Sequence, residues 1–221
     1  MRLTISAYAR RMRRDGCWES VTPPVRANPA GALDSRGRPP ADRWPQLLVV
    51  WIHPVPNRLE LDPDLEGRLA SNDVLNEICT HALDVAPEEC CGLILGSEAA
   101  DLSRVVRITN VMTKMHVAEP NAFPRDARHA YYMSEVEYLR ATEEAEVRGE
   151  LVTAVYHSHF GQGCYLSEDD LAFASHPLFP FPNASQIVVS VLADQVRAVG
   201  IFEPTPDDIV RFQGRRLEAS S

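Results

Sequence analysis

Two histidines one residue apart, His157 and His159, close an apolar run that begins at Leu151. Side chains of an extended strand alternate with period two, so both imidazoles fall on one side of it. Residues able to complete a metal site follow at once. Ser167 has the character of a helix N-cap, and Asp170, three residues on, falls in the first turn beneath it. Two neutral imidazoles and one carboxylate, with a fourth position left to water, form the ligand set of a catalytic zinc, whereas a structural zinc is closed by four protein ligands, usually richer in cysteine. A His-x-His pair alone is a weak signal, because histidine also serves in strand packing. The full pattern is far more specific: His157-x-His159, seven residues, Ser167, two residues, Asp170.

The elements that must position these groups are visible on either side. Ser71-Asn72-Asp73 offers caps for a helix in which Val74, Leu75, Ile78, Cys79, Ala82 and Leu83 recur at helical spacing. That helix ends before Pro87, and Cys91 to Gly96 follows as a short buried strand. Glu88 and Glu89 stand at the junction, either as solvated loop acids or as the source of the general base that a zinc hydrolase requires. Ser103 to Asn110 is expected to pair with the first strand, and Val111 to Arg128 to form a long loop stiffened by Pro120 and Pro124, a candidate substrate-binding edge. Ser134 and Glu137 have capping-box spacing and open a helix that stops at Gly149. After the ligand strand and the ligand helix (Leu171 to Ser175), Ile187–Leu192 and Val196–Phe202 form a hairpin, and Gly214 to Ser221 is expected to be a charged, frayed tail. The fold expected is a single α/β domain, a mixed β-sheet flanked by helices, with the site at the end of one central strand.

With these residues in place, the chain resembles the JAMM (MPN+) zinc metallopeptidases, a group that includes isopeptidases cutting ubiquitin-like proteins. His157-Ser158-His159, Ser167 and Asp170 match its signature. Pro87-x-Glu89 ahead of Cys91-Gly92 matches the context of the catalytic glutamate in prokaryotic members, and Pro-Arg-Asp-Ala-Arg-x-Ala-Tyr (124–131) is similar to them as well. The resemblance covers about residues 59–203. It implies that His157, His159 and Asp170 hold Zn²⁺, that Glu89, with Glu88 as the fallback, takes the proton of the attacking water, and that Ser167 donates to the oxyanion. It further implies a layout related to that of cytidine deaminases, hydrolysis of a peptide or isopeptide bond, and a small ubiquitin-like sulfur-carrier protein as substrate. Phe160 and Leu166 stand where many members have proline, a change in loop shape that leaves the donors intact. Cys164 is expected to pack in the loop, although a thiol this near a zinc could ligate it in an inhibited state.

Composition bounds the alternatives. The 221 residues carry a formal charge of −9, distributed as +5 over residues 1–45 and −14 over the rest. So acidic a body is poorly suited to nucleic acid, whose binding rests on phosphate neutralisation. Residues 1–57, rich in Arg and Pro with no periodic apolar face, are expected to be a disordered extension, followed by a metallopeptidase domain over 58–205 and a tail over 206–221. The apolar run Leu47 to Ile52 is far short of the roughly 20 residues a membrane span requires. Five cysteines, with Cys90 and Cys91 adjacent, fit a reducing cytoplasm better than a disulfide framework. A nucleoside deaminase would need His-x-Glu and Pro-Cys-x-x-Cys motifs, which the chain lacks. An amidohydrolase barrel would need about 250 residues. A non-catalytic scaffold on the same fold, or a general zinc peptidase, stands as the alternative. A chain lacking residues 1–57 is expected to keep the melting temperature and hydrolytic rate of the full chain, because a disordered extension buries little; a scanning melt and a rate assay on both proteins check this.

Overall fold

The computed structural model of the chain describes residues 58–177, 179–206 and 212–220. The Arg- and Pro-rich stretch 1–57 lies outside them. In chain order the elements are β1 (Arg58–Glu60), β2 (Arg68–Ala70), α1 (Asn72–Val85), β3 (Cys91–Gly96), β4 (Arg104–Ile108), α2 (Met112–Ala118), α3 (Glu135–Arg148), β5 (Leu151–Phe160), β6 (Tyr165–Ser167), α4 (Glu168–Ala174), β7 (Ser185–Leu192), β8 (Gln195–Pro204) and β9 (Phe212–Ala219). Seven strands form one mixed sheet in the order β2-β9-β8-β7-β5-β3-β4, and β1 pairs separately with β6. Strand β5 is central, antiparallel to β3 and parallel to β7. This is the expected single α/β domain.

Both faces of the sheet are covered, and the alternation of β5 decides what each face receives. Helix α1, capped by the Ser71 side chain accepting from the Val74 N–H at 3.3 Å, lays Val74, Ile78 and Ala82 against Ile94, Ala154, Tyr156, Ile187 and Val189. On the other face α3 packs Ala141 and Ala145 near Cys91, Leu93, Leu95 and Val155. Continuing the alternation from Val155 brings His157 and His159 onto the α3 face. Beside them Leu166, Ala174, Val188, Phe202 and Phe212 form a smaller cluster beneath β6 and α4.

Three expectations require correction. Gly214 to Ser221 is not a frayed tail: Phe212–Ala219 is strand β9, antiparallel to β8 and parallel to β2, with Phe212 and Leu217 buried. Phe212 joins the cluster beside the site and Leu217, five residues on and so on the opposite face, joins the α1 cluster; Arg215, Arg216 and Glu218 mask the strand in the sequence. The stretch Val111 to Arg128 contains the two-turn helix α2 and is therefore shorter as a loop than expected. No capping box forms at Ser134; the Glu137 carboxylate instead accepts the Thr109 N–H at 2.7 Å and its Oγ1 at 2.9 Å, tying α3 to the end of β4. The Gly149 stop is present, at φ 70, with its N–H donated to Ala145 and Glu146 carbonyls, and β7 and β8 form the expected hairpin.

Gly92 marks a close approach next to the site. It lies opposite Tyr156, and an added Cβ would come within 2.4 Å of both the Tyr156 ring and the Val106 carbonyl. Neither the buried ring, fixed by a 2.8 Å hydrogen bond between its hydroxyl and His81 Nδ1, nor the backbone has room to yield. Gly92→Ala is therefore expected to lower stability by about 1–3 kcal/mol through overpacking, measurable as a lower midpoint in urea denaturation.

Candidate active site

The last residues of β5 deliver His157 and His159 in a buried position. Their Nε2 atoms are 3.2 Å apart. Asp170 reaches them from the first turn of α4, its Oδ2 lying 3.6 Å from His157 Nε2 and 3.8 Å from His159 Nε2. The N-cap expected at Ser167 closes with Asp170 into a capping box, which aims this carboxylate. Ser167 donates its N–H (2.8 Å) and its hydroxyl (2.7 Å) to Oδ2, while Ser167 Oγ accepts from the Asp170 N–H. Four ligands at 2.0–2.1 Å around tetrahedral zinc stand ~3.3 Å from one another, so three facing donor atoms at 3.2, 3.6 and 3.8 Å fit such an ion with little movement. The three residues form a group able to hold a metal ion.

The two imidazoles are oriented by different means. His159 donates from Nδ1 to the Gly163 carbonyl at 3.0 Å, which leaves Nε2 as the free acceptor facing the other ligands. His157 Nδ1 is buried with no hydrogen-bond partner. Its ring plane is held instead by Tyr131, stacked at 4.7 Å between centroids and 24° between planes.

Glu89 enters from the adjacent strand. Ser158 donates its N–H to the Cys90 carbonyl (3.1 Å) and Oγ accepts the Cys90 N–H (2.8 Å), so pairing of β3 with β5 continues past Cys91. By alternation Glu89 then falls on the face of His157 and His159. The residue is 4% exposed, whereas Glu88 is exposed and accepts a long hydrogen bond from Thr113. Burial pushes the Glu89 carboxyl up, with Asp170 adding to the rise and His157, His159 and Arg125 opposing it. Asp170 goes the other way: burial would raise it, but His157, His159 and Ser167 hold it well below the usual carboxylate range. Two acids pushed apart in this manner suit two tasks, proton acceptance and ligation.

Sequence reasoning missed two residues here. Asn110 uses its whole side chain, donating from Nδ2 to the carbonyls of Glu89 (2.8 Å) and Ala130 (3.1 Å) and accepting at Oδ1 from Met112 and Tyr132 N–H groups (both 3.0 Å). It thereby fixes the backbone of Glu89 and the backbone on both sides of Tyr131. Asn110 showed in the sequence only as the polar residue closing the expected strand from Ser103, and Tyr131, although it ends the 124–131 segment, had nothing in its spacing to link it to His157. Cys164 packs, as expected: its thiol donates to the Val188 carbonyl at 3.2 Å, and burial pushes it up to about 12. Leu166, at the position proline takes in many JAMM proteins, is fully buried and lies opposite Leu59 of β1.

Fold and site together define the class as a mixed-sheet α/β domain with a His, His, Asp group at the end of its central strand and a buried glutamate beside it. Residues 71–201 match the family described as prokaryotic homologs of the JAB domain, and the chain belongs to that family. It is 27% identical over 105 residues to proteins named CysO-cysteine peptidase from Mycobacterium bovis and Mycobacterium tuberculosis. That match spans 48% of this chain and 64% of the relatives' length, less than two thirds of it. Among solved structures, it is similar to a protein from Desulfitobacterium hafniense (18% identity, TM-score 0.49, 68% of this chain and 91% of the other). Another is from Salinibacter ruber (25% identity, TM-score 0.46, 69% and 92%).

Purified protein is expected to bind about one zinc per chain and to lose it in His157→Ala or Asp170→Ala. Tyr131→Leu is expected to weaken zinc binding about 10- to 100-fold, the range for partners that orient a ligand, with Tyr131→Phe near wild type because the stack survives. Competition with a chromogenic chelator measures all four.

Proposed function

We propose that this protein is a cytoplasmic zinc peptidase that hydrolyses the bond after the C-terminal Gly-Gly of a small ubiquitin-like sulfur-carrier protein. The observation that carries this reading is the convergence of His157, His159 and Asp170 on one point beside a buried glutamate. Bound there, Zn²⁺ would polarise the scissile carbonyl and make a water nucleophilic at neutral pH.

The remaining work falls to the side chains. Glu89, desolvated and raised in proton affinity, takes the proton of the attacking water and delivers it to the departing amine. Ser167 donates its hydroxyl to the carbonyl oxygen as negative charge grows there. That hydroxyl is donated to Asp170 Oδ2 in this structure, so serving the substrate requires it to rotate away from that oxygen. His159 keeps its orientation through Gly163 and His157 through Tyr131. The free thiols of Cys79, Cys90, Cys91 and Cys164 support a reducing compartment, and no helix among the described residues is long and apolar enough to cross a membrane.

The substrate follows from two supports. The mycobacterial relatives are named as peptidases of CysO-cysteine, and for this chain we take the analogous substrate to be a carrier whose Gly-Gly end bears an amino acid. The site also lies at a strand end between two loops, 119–130 and 161–164, a setting for an extended chain with small residues at the cut.

Intact-mass spectrometry of a carrier ending in Gly-Gly plus one residue, incubated with the zinc-loaded protein, is expected to show a single cut after Gly-Gly. Glu89→Gln should keep its zinc and lose at least about 10²-fold in rate. Scattered cuts, or equal rates on Gly-Gly and Val-Val tails, would indicate a general peptidase instead. Bound zinc with no hydrolysis of such carriers would indicate a scaffold.

A further inference from the structure

The two sides of the site meet through one exposed ion pair. Arg125 donates from Nη2 to Oδ2 of Asp169, the neighbour of Asp170 in the first turn of α4. Arg125 also stands two residues before Ala127, whose carbonyl accepts the Glu89 N–H at 2.7 Å. The guanidinium therefore bridges the backbone that holds Glu89 and the helical turn that supplies Asp170, and its charge is felt at the Glu89 carboxyl. It is far from enclosed: the Arg125 side chain is 48% exposed and that of Asp169 61%. An ion pair this open to water is weak, so Asp169 competes poorly for the guanidinium.

Glu89 and Asp170 place two carboxylates in the site, and Asp169 lies beside them against Arg125. Hydrolysis that frees one terminal amino acid places a carboxylate only one carbon away from the departing nitrogen. Glu89 and Asp169 repel such an anion, and Arg125 is a cation already in place at this edge of the site to meet it. A leaving group that continues as a longer chain, or ends as an amide, carries no charge at that position.

We propose that Arg125 exchanges Asp169 for the α-carboxylate of the leaving residue, so that the enzyme favours substrates with a single free-acid amino acid after the cut. The planar fork of arginine matches a carboxylate with two parallel hydrogen bonds. This assignment rests on the peptidase reading and names the leaving group that the site takes.

The test uses the zinc-loaded full chain and two carriers, ending in Gly-Gly-Ala as the free acid and as the C-terminal amide. Wild type is expected to favour the acid about 10- to 100-fold in kcat/KM, mainly through KM, the worth of a hydrogen-bonded charge pair. Arg125→Gln should bring the ratio close to one, and Arg125→Lys, which keeps the charge without the fork, should fall between. Asp169→Asn separates this role from a mere latch between loop and helix. Removing the competing carboxylate should preserve or increase the preference for the acid. If Asp169→Asn and Arg125→Gln instead slow both carriers alike, the pair is a latch and the proposal fails. Equal wild-type rates on acid and amide overturn it while leaving the peptidase reading intact; no cleavage of either carrier by zinc-bound protein removes both. Melting temperatures of the variants identify any that misfold, and the acid-to-amide ratio of those that fold decides the matter.

Discussion

Two imidazole nitrogens held 3.2 Å apart, with a carboxylate oxygen within 3.8 Å of each, constitute the interaction on which the rest of the domain depends. Facing lone pairs at that distance repel unless a proton or a cation lies between them, and a buried carboxylate loses several kcal/mol of hydration. The protein tolerates the cluster because each member is restrained from outside it. Asp170 is fixed by the capping box with Ser167, His159 by the Gly163 carbonyl, and His157 by the ring of Tyr131. A divalent cation held between the three donors would turn this electrostatic liability into an attraction.

The supports for those restraints come from distant parts of the chain, which explains the shape of the fold. Strand β5 carries the histidines, and its neighbour β3 must approach closely enough for Cys90 to pair with Ser158 and for Tyr156 to lie over Gly92. Asn110, just beyond β4, connects the backbone of Glu89 to that of Ala130 and Tyr132 on either side of Tyr131. Strand β1 adds to β6, with the Arg58 guanidinium 5.0 Å from the centre of the Tyr165 ring, which in turn lies 5.0 Å from His159. One tertiary layer thus stands behind each residue of the site.

Much of the fold was legible because its patterns are local. The helical spacing of Val74, Ile78 and Ala82, the apolar run at Cys91–Gly96 and the hairpin of β7 and β8 each reflect a periodicity confined to a few residues. Two of the misjudged elements depend on partners far away in sequence. Strand β9 holds its place through β8 and β2 rather than through its own charged composition, and Glu137 left its cap for the Thr109 N–H because that partner lies at the end of β4, 28 residues away.

The sequence by itself determined the donor types of the candidate site and their local geometry. Period two placed His157 and His159 on one face, and the Ser-x-x-Asp spacing aimed Asp170, since both rules act within one element. Only the tertiary structure decided which glutamate is buried, that Asn110 and Tyr131 stand behind Glu89 and His157, and that Arg125 meets Asp169. Such pairings join residues 21 to 44 positions apart, where the folding of the sheet and no local periodicity sets the distance.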